Sequence, residues 1–98
     1  MARRLVVQPQ ANLDIHAAAV WHEDQRAGLG VRFLDELDLV FQRIESNPRQ
    51  FPRLEGDVRR ALLRHFPYGV CFVGESGAIT VLADLHLHRE PNMWESHH

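Results

Sequence analysis

The sequence contains no lysine, a single cysteine and no long apolar run. One cysteine excludes an internal disulfide, and Cys71, between Val70 and Phe72, is interpreted as a small buried hydrophobe. A membrane-spanning helix needs about 20 consecutive, mostly apolar residues, which this sequence does not offer. No signal-peptide pattern opens the chain. These absences predict a cytoplasmic protein.

All 11 basic residues are therefore arginines. Arginine suits bidentate contacts to carboxylates and phosphates, although a GC-rich genome would produce the same bias. The net charge of −2 argues against a general nucleic-acid binder, which usually carries a basic excess. The charge is also unevenly spread, since residues 11–46 hold seven acids and three arginines, whereas residues 47–64 hold five arginines and two acids. This distribution predicts an acidic helical layer and a basic patch.

The length of 98 residues predicts one domain, which we place at residues 1–96. His97 and His98 are either a remnant of a purification tag or a native tail. A chain of this size buries only about 60–65% of its unfolded surface, so its core is modest. A partner that covers apolar surface would therefore add substantially to its stability.

Two helices are predicted in the N-terminal half, after a short strand around residues 3–8. The first spans residues 10–26, and Leu13, Ala17, Val20 and Trp21 have the spacing of one helical face, which we expect to be buried. The second spans residues 31–45 and carries a wider apolar stripe on one side, with charged residues expected to face water on the other. The stripe comprises Phe33, Leu34, Leu37, Val40, Phe41 and Ile44, and the charged residues are Arg32, Asp35, Glu36 and Arg43.

The C-terminal half predicts three strands, at residues 58–65, 69–74 and 78–87, after a loop at residues 49–57. Alternation in the last strand predicts Ile79, Val81, Ala83 and Leu85 on one face. The order of elements is β-α-α-β-β-β. It predicts a two-layer α/β (α+β) fold in which a helical hairpin packs on one face of an antiparallel sheet.

Arginines and histidines gather at the ends of these strands. Arg59 and Arg60 precede a hairpin with Phe66-Pro67-Tyr68 at its corner, and the last strand leads into His86-x-x-Arg89-x-Pro91-x-x-Trp94. In order and spacing this pattern resembles the ParE branch of the ParE/RelE toxin superfamily, the toxins of type II toxin–antitoxin modules. The resemblance covers nearly the whole chain, because the N-terminal half also has the element order of that fold.

The resemblance implies a cytoplasmic toxin of the kind that serves plasmid stabilisation. It would bind and inhibit a cellular target, with DNA gyrase expected, and would need no cofactor and no metal. The contact residues would be Arg59, Arg60, Arg89 and Trp94, since arginine and tryptophan often anchor protein interfaces. The expected partner is a small ParD-like antitoxin in a hetero-oligomer, whose disordered tail folds over the toxin. An acidic helical layer would suit a tail rich in arginine or lysine.

Other functions remain open at this point. A RelE-type, ribosome-dependent mRNA endoribonuclease would use His86, Arg89, Arg59 and His65, because a titrating histidine and arginines beside the phosphate are what 2′-hydroxyl attack requires. A third possibility is a degenerate member that binds only its antitoxin. The arginines and Trp94 could instead be structural, and His86-x-His88 has no partner at a recognisable metal-ligand spacing. Phe66-Pro67-Tyr68 is interpreted as a structural corner.

Overall fold

A computed structural model describes residues 4–75 and 77–86, which form a helical hairpin and a five-stranded sheet. This architecture confirms the predicted two-layer fold class. The helix and strand bounds lie within three residues of those predicted. In chain order the elements are β1 (Arg4–Val7), α1 (Pro9–Gln25), α2 (Leu29–Ser46), a 3-10 helix (Pro48–Gln50), β2 (Arg53–Glu55), β3 (Val58–Leu62), β4 (Tyr68–Glu75) and β5 (Ala78–His86).

The sheet has the strand order β1-β5-β4-β3-β2. β1 runs parallel to β5, whereas the other neighbours are antiparallel, so the sheet is mixed and the expectation of a wholly antiparallel sheet was wrong in this detail. The direction of β1 depends on where the helical hairpin returns the chain, which local sequence does not reveal. β2 lies in the segment predicted as a loop, because three residues are too few for an alternating pattern to show.

The core lies between the two helices and the inner face of the sheet. Phe33 and Ile44 of α2 are fully buried, as are Val70, Phe72 and Val81 of the sheet. The predicted stripe of α2 is confirmed at its centre. At its margin Leu34 remains 43% exposed and Phe41 is half-buried.

α1 buries a different face from the one predicted. Leu13 is 63% exposed, Val20 48% and Trp21 43%, and Ala17 is exposed as well. The buried residues are Ala11, Ile15, Ala18 and His22. α1 therefore carries apolar residues on two opposite sides, and the side with smaller residues and a histidine faces the core. Periodicity alone could not decide between the two sides.

The helices meet closely where α2 begins. A Cβ atom at Gly30 would lie 2.6 Å from the backbone oxygen of Ala19, so only glycine fits this contact. The first turn of α2 has no side-chain cap of its own. Instead the Glu23 carboxylate of α1 accepts hydrogen bonds from the backbone N–H groups of Gly28 (2.9 Å) and Gly30 (3.0 Å). Glu23 thus satisfies two otherwise unpaired donors and fixes α2 against α1.

A β-bulge in β5 changes which side chains face the helices. Val81 pairs with Phe72 and Ala83 pairs with Cys71, so Leu82 is the additional residue of the bulge. Directly paired residues share a face, and Phe72 and Cys71 lie on opposite faces. Ala83 is therefore on the outer face of the sheet, and its predicted position beside Val81 was wrong. Within residues 4–75 and 77–86, no helix is long and apolar enough to cross a membrane.

We expect Leu37→Ala to lower the free energy of unfolding by about 2–5 kcal/mol, as truncations of large core residues do. Leu37 is only 3% exposed at the centre of the α2 stripe. Leu39→Ala, two residues along the same helix and 59% exposed, is the matched control and should change stability by less than about 0.5 kcal/mol. Urea denaturation measures both, and equal losses would contradict this assignment of the core.

Candidate functional site

Two of the three arginines predicted to contact a target, Arg59 and Arg60, lie on opposite faces of the sheet. Arg59 pairs with Phe72 and Arg60 pairs with Cys71, and successive residues of a strand point to opposite faces. Arg59 is therefore on the inner face, with the buried Phe72, whereas Arg60 is on the outer face. Both side chains are half-buried. The sheet does not combine them into one contact surface.

Arg59 has a clear structural contact. Its Nη1 donates a hydrogen bond of 2.6 Å to the backbone oxygen of Phe51, which lies at the end of the 3-10 helix. The Phe51 ring packs edge-on against Phe72 at 5.8 Å, and the Arg43 guanidinium lies 5.4 Å from its centroid. Arg59 thus helps to hold the segment after α2 against the sheet.

Arg60 crosses over a glycine of the neighbouring strand. A Cβ atom at Gly69 would lie 3.0 Å from Cδ and 3.1 Å from Cγ of Arg60, and 3.3 Å from Leu62. The absence of a side chain at Gly69 therefore lets the aliphatic part of Arg60 lie flat on the outer face.

The Phe66-Pro67-Tyr68 corner is part of the core, which agrees with its predicted structural role. Phe66 is 8% exposed and Tyr68 4%, and both rings approach the buried His22 of α1, with centroid distances of 5.0 and 5.6 Å. His22 also packs against Trp21 and Phe33. Its Nε2 has no hydrogen-bond partner among the described residues, and burial lowers the pKa of the ring. Sequence reasoning missed this histidine because it followed the opposite side of α1.

Glu36, predicted to face water, instead binds the turn that follows β3. Its Oε2 accepts hydrogen bonds from the backbone N–H groups of Arg64 (2.5 Å) and His65 (3.0 Å), and its Oε1 lies 2.5 Å from His65 Nδ1. Because an ionised carboxylate only accepts, Nδ1 carries the proton. Burial alone would raise the pKa of Glu36, but these hydrogen bonds outweigh it and lower the pKa. The His65 side chain remains 72% exposed, against 15% for Glu36.

A groove of about 540 Å³ lies beside this contact, between α2 and the end of β3. We call it the α2–β3 groove. Leu39 and Leu62, on its two walls, are 59% and 48% exposed, so its surface is largely apolar. It is lined by Glu36, Leu39, Val40, Gln42, Arg43, Ser46, Leu62, Arg64 and His65.

A second apolar surface covers the side of the helices that faces away from the sheet. We call it the outer hairpin face. Its apolar members are Leu13, Ala17 and Val20 of α1, spaced i, i+4 and i+7, and Val31 and Leu34 of α2, all exposed. Exposed acids continue the same helical rows, namely Asp24 of α1 and Asp35 and Asp38 of α2. Three of the seven acids of the predicted acidic layer therefore lie on this face, whereas Arg43 of α2 lies in the α2–β3 groove.

Several predicted site residues fall outside the described residues, namely Arg89, Trp94, Pro91 and His88. For His86 the backbone pairs with Tyr68, which places this end of β5 beside the corner. Among residues 4–75 and 77–86 there is no cluster of three or more His, Cys, Asp or Glu side chains that could hold a metal ion.

Comparison with known proteins gives one kind of match. No protein-family model matches the sequence, and neither does any curated protein. A chain of the solved structure of the chromosomal ParDE TA system from P. aeruginosa has the same fold, with a TM-score of 0.77 at 15% sequence identity. The match covers 87% of this chain and 96% of that chain. Because the match extends over most of each chain, the similarity concerns the fold as a whole and not one shared motif.

We expect Glu36→Gln to lower the free energy of unfolding at pH 7 by about 1–3 kcal/mol, because a neutral amide replaces a carboxylate that accepts three hydrogen bonds. The pKa of Glu36 is lowered in the folded state, so its contribution is present above the unfolded pKa of roughly 4.3 and is lost as the pH falls through the folded value. The difference from wild type should therefore shrink at pH 3. Asp35→Asn, which alters an exposed neighbour, is the control, and an equal effect there would contradict a specific role for Glu36.

His22 should make folding weaken in mild acid. Its folded pKa is lowered, so below roughly pH 6.5 the unfolded chain takes up a proton that the folded chain refuses, and stability falls by at most about 1.4 kcal/mol per pH unit. His22→Leu should flatten this slope between pH 7.5 and 5.5, whereas His16→Gln, in an exposed position of α1, should retain it. Urea midpoints at both pH values provide the measurement, and a slope unchanged by His22→Leu would refute the assignment.

Proposed function

We propose that this chain is the toxin of a type II toxin–antitoxin module, and that it acts by binding a cellular target and is neutralised by a ParD-like antitoxin. DNA gyrase is the expected target. The observation that carries the proposal is the fold similarity, over 87% of this chain, to a chain of a ParDE TA system. The motif pattern from Arg59 to Trp94 supports it independently, since it resembles the ParE toxins rather than the antitoxins.

The outer hairpin face supports the need for an antitoxin. It leaves large apolar side chains exposed on a chain that has only a modest core, and acids lie among them. A disordered tail with apolar residues and arginine or lysine would cover this face and pair with its acids. At a free concentration 1,000 times the dissociation constant, such a partner would stabilise the fold by about 4 kcal/mol.

The geometry favours target binding over RNA cleavage. Arg59 lies in β3, whereas His65 lies in the turn that follows it, and the two side chains make separate structural contacts. Arg59 is held by the Phe51 oxygen, and Nδ1 of His65 is held by Glu36. Arg60, in contrast, lies on the outer face of the sheet. We therefore assign target contact to Arg60, Arg89 and Trp94. Arg59 has a structural role, since it holds the segment after α2 against the sheet.

Three assays on the wild-type chain test this proposal. Induced expression should arrest growth, and co-expression of a ParD-like antitoxin, to be sought in the neighbouring reading frame, should relieve the arrest. The purified chain should inhibit supercoiling by gyrase and should leave ribosome-bound mRNA intact. Cleaved mRNA with unaffected supercoiling would establish the endoribonuclease alternative instead. Failure to arrest growth, or failure to bind the antitoxin, would reject the proposal that this chain is a toxin.

We expect Arg89→Ala and Arg60→Ala to abolish growth arrest with little change in melting temperature, because each removes a residue that we propose contacts the target. Arg59→Ala should instead destabilise the fold by about 1–3 kcal/mol, since it leaves the Phe51 oxygen without its donor. Arg53→Ala, at an exposed position of β2, is the control and should remain toxic. Growth curves and thermal melts separate these effects, and full toxicity of both Arg89→Ala and Arg60→Ala would refute the assignment.

A further inference from the structure

We infer that the α2–β3 groove is a second partner-binding site, which takes an apolar segment that carries carboxylates. The inference rests on the proposed function for the source of this segment, which would be the antitoxin. It goes beyond that function because the chemistry of the groove is opposite to that of the outer hairpin face. A tail rich in arginine or lysine suits the outer face and not this groove.

The walls of the groove provide apolar anchoring. Leu39 from α2 and Leu62 from β3 are both about half-exposed and line one concavity, whereas Val40 beside them is buried. Two leucines that line the same groove from different elements offer more apolar area than scattered surface leucines do. Side chains such as leucine, valine or phenylalanine would fill the space between them.

Among the described residues, the groove contains two arginines and one carboxylate, and that carboxylate is already engaged in hydrogen bonds. Arg43 and Arg64 line it, and Glu36 is the only acid among its lining residues in the described part of the chain. Glu36 is already engaged by two backbone N–H groups and by His65 Nδ1, so it does not pair with either guanidinium. The groove therefore offers two arginines to an incoming carboxylate, for which their planar N–H groups are well matched.

The edge of β3 also offers the main chain of Leu62 to the same segment. The Arg60 N–H donates to the Pro52 oxygen (3.1 Å) and the Arg64 N–H donates to Glu36. The backbone N–H groups of the even-numbered residues in this segment therefore point away from β4. Leu62 lies between Arg60 and Arg64 on that edge. It is three residues beyond Arg59, the position at which β3 pairs with Arg53 of β2. An extended segment can add to a sheet along such an edge, with its alternate side chains in the groove.

Selection from a random library of 12-residue peptides displayed on phage tests this chemistry with the full-length chain as bait. Peptides that bind the wild type and fail to bind Leu39→Ser are groove binders. We expect them to be enriched in aspartate or glutamate together with large apolar residues. Enrichment of arginine and lysine, or a set of binders indifferent to Leu39→Ser, would overturn the inference.

A charge exchange then tests the role of Arg64. The best acidic peptide, made synthetically with a fluorescent label, should bind Arg64→Glu about tenfold more weakly than wild type, because like charges would meet in the groove. Replacing its acidic residues by lysine should restore binding to Arg64→Glu and weaken binding to wild type. Arg53→Glu, a reversal of an exposed arginine outside the groove, should leave affinity unchanged. Arg64→Gln is tested alongside, with thermal melts, in case Arg64→Glu disturbs the Glu36 contact.

The proposal that this chain is a toxin and the proposal that the α2–β3 groove binds a partner can be rejected independently of each other. Peptide binding needs neither a toxic phenotype nor a target, so a chain that does not arrest growth can still bind the acidic peptide in the groove. Conversely, growth arrest relieved by the antitoxin, combined with peptide binding that is equal for wild type and Arg64→Glu, would retain the toxin and reject the groove.

Discussion

The contact between Glu36 and the turn after β3 determines much of what this small domain can offer a partner. It fixes the middle of α2 to the end of β3, and it does so through two backbone N–H groups that would otherwise lack a partner at the end of the strand. The same contact forms one end of the α2–β3 groove, and it engages Glu36, the acid among the described residues that line the groove. A protonated Glu36 would therefore loosen the turn and change the charge of the groove together.

Sequence reasoning was accurate where a signal had one interpretation. α2 has a single apolar stripe, so its bounds and its buried residues were predictable, and the strands of the C-terminal half were equally clear. α1 was different, because Leu13, Ala17 and Val20 form as regular a row as Ala11, Ile15 and Ala18. The choice between those rows depends on fit: small residues allow α1 to approach the sheet and α2, and the larger ones are left outside. No local pattern contains that information.

The other misses also concern long-range contacts. Glu36 and His65 are separated by 29 residues, and a glutamate among exposed charges on a helix has no feature that marks it as a ligand of a distant turn. The bulge at Leu82 reverses the alternation of β5 halfway along the strand, although the run Ile79 to Leu85 reads as continuous. Arg59 and Arg60 were both expected to contact a target. The alternation of the strand already predicts that they lie on opposite faces, but it does not reveal that Arg59 is held by the distant Phe51 oxygen.

The unequal distribution of charge gives the two apolar surfaces different preferences. Both could be covered by hydrophobic association alone, which has no direction and little selectivity. The exposed acids of the outer hairpin face and the arginines that line the α2–β3 groove add the selectivity, because a segment with the wrong sign would bury uncompensated charge on either surface. A single partner that covers both surfaces must therefore change the sign of its charge along its length. This requirement constrains the sequence of such a partner more tightly than the apolar contacts do, and it arises because Arg43 and Asp38 lie on different sides of α2.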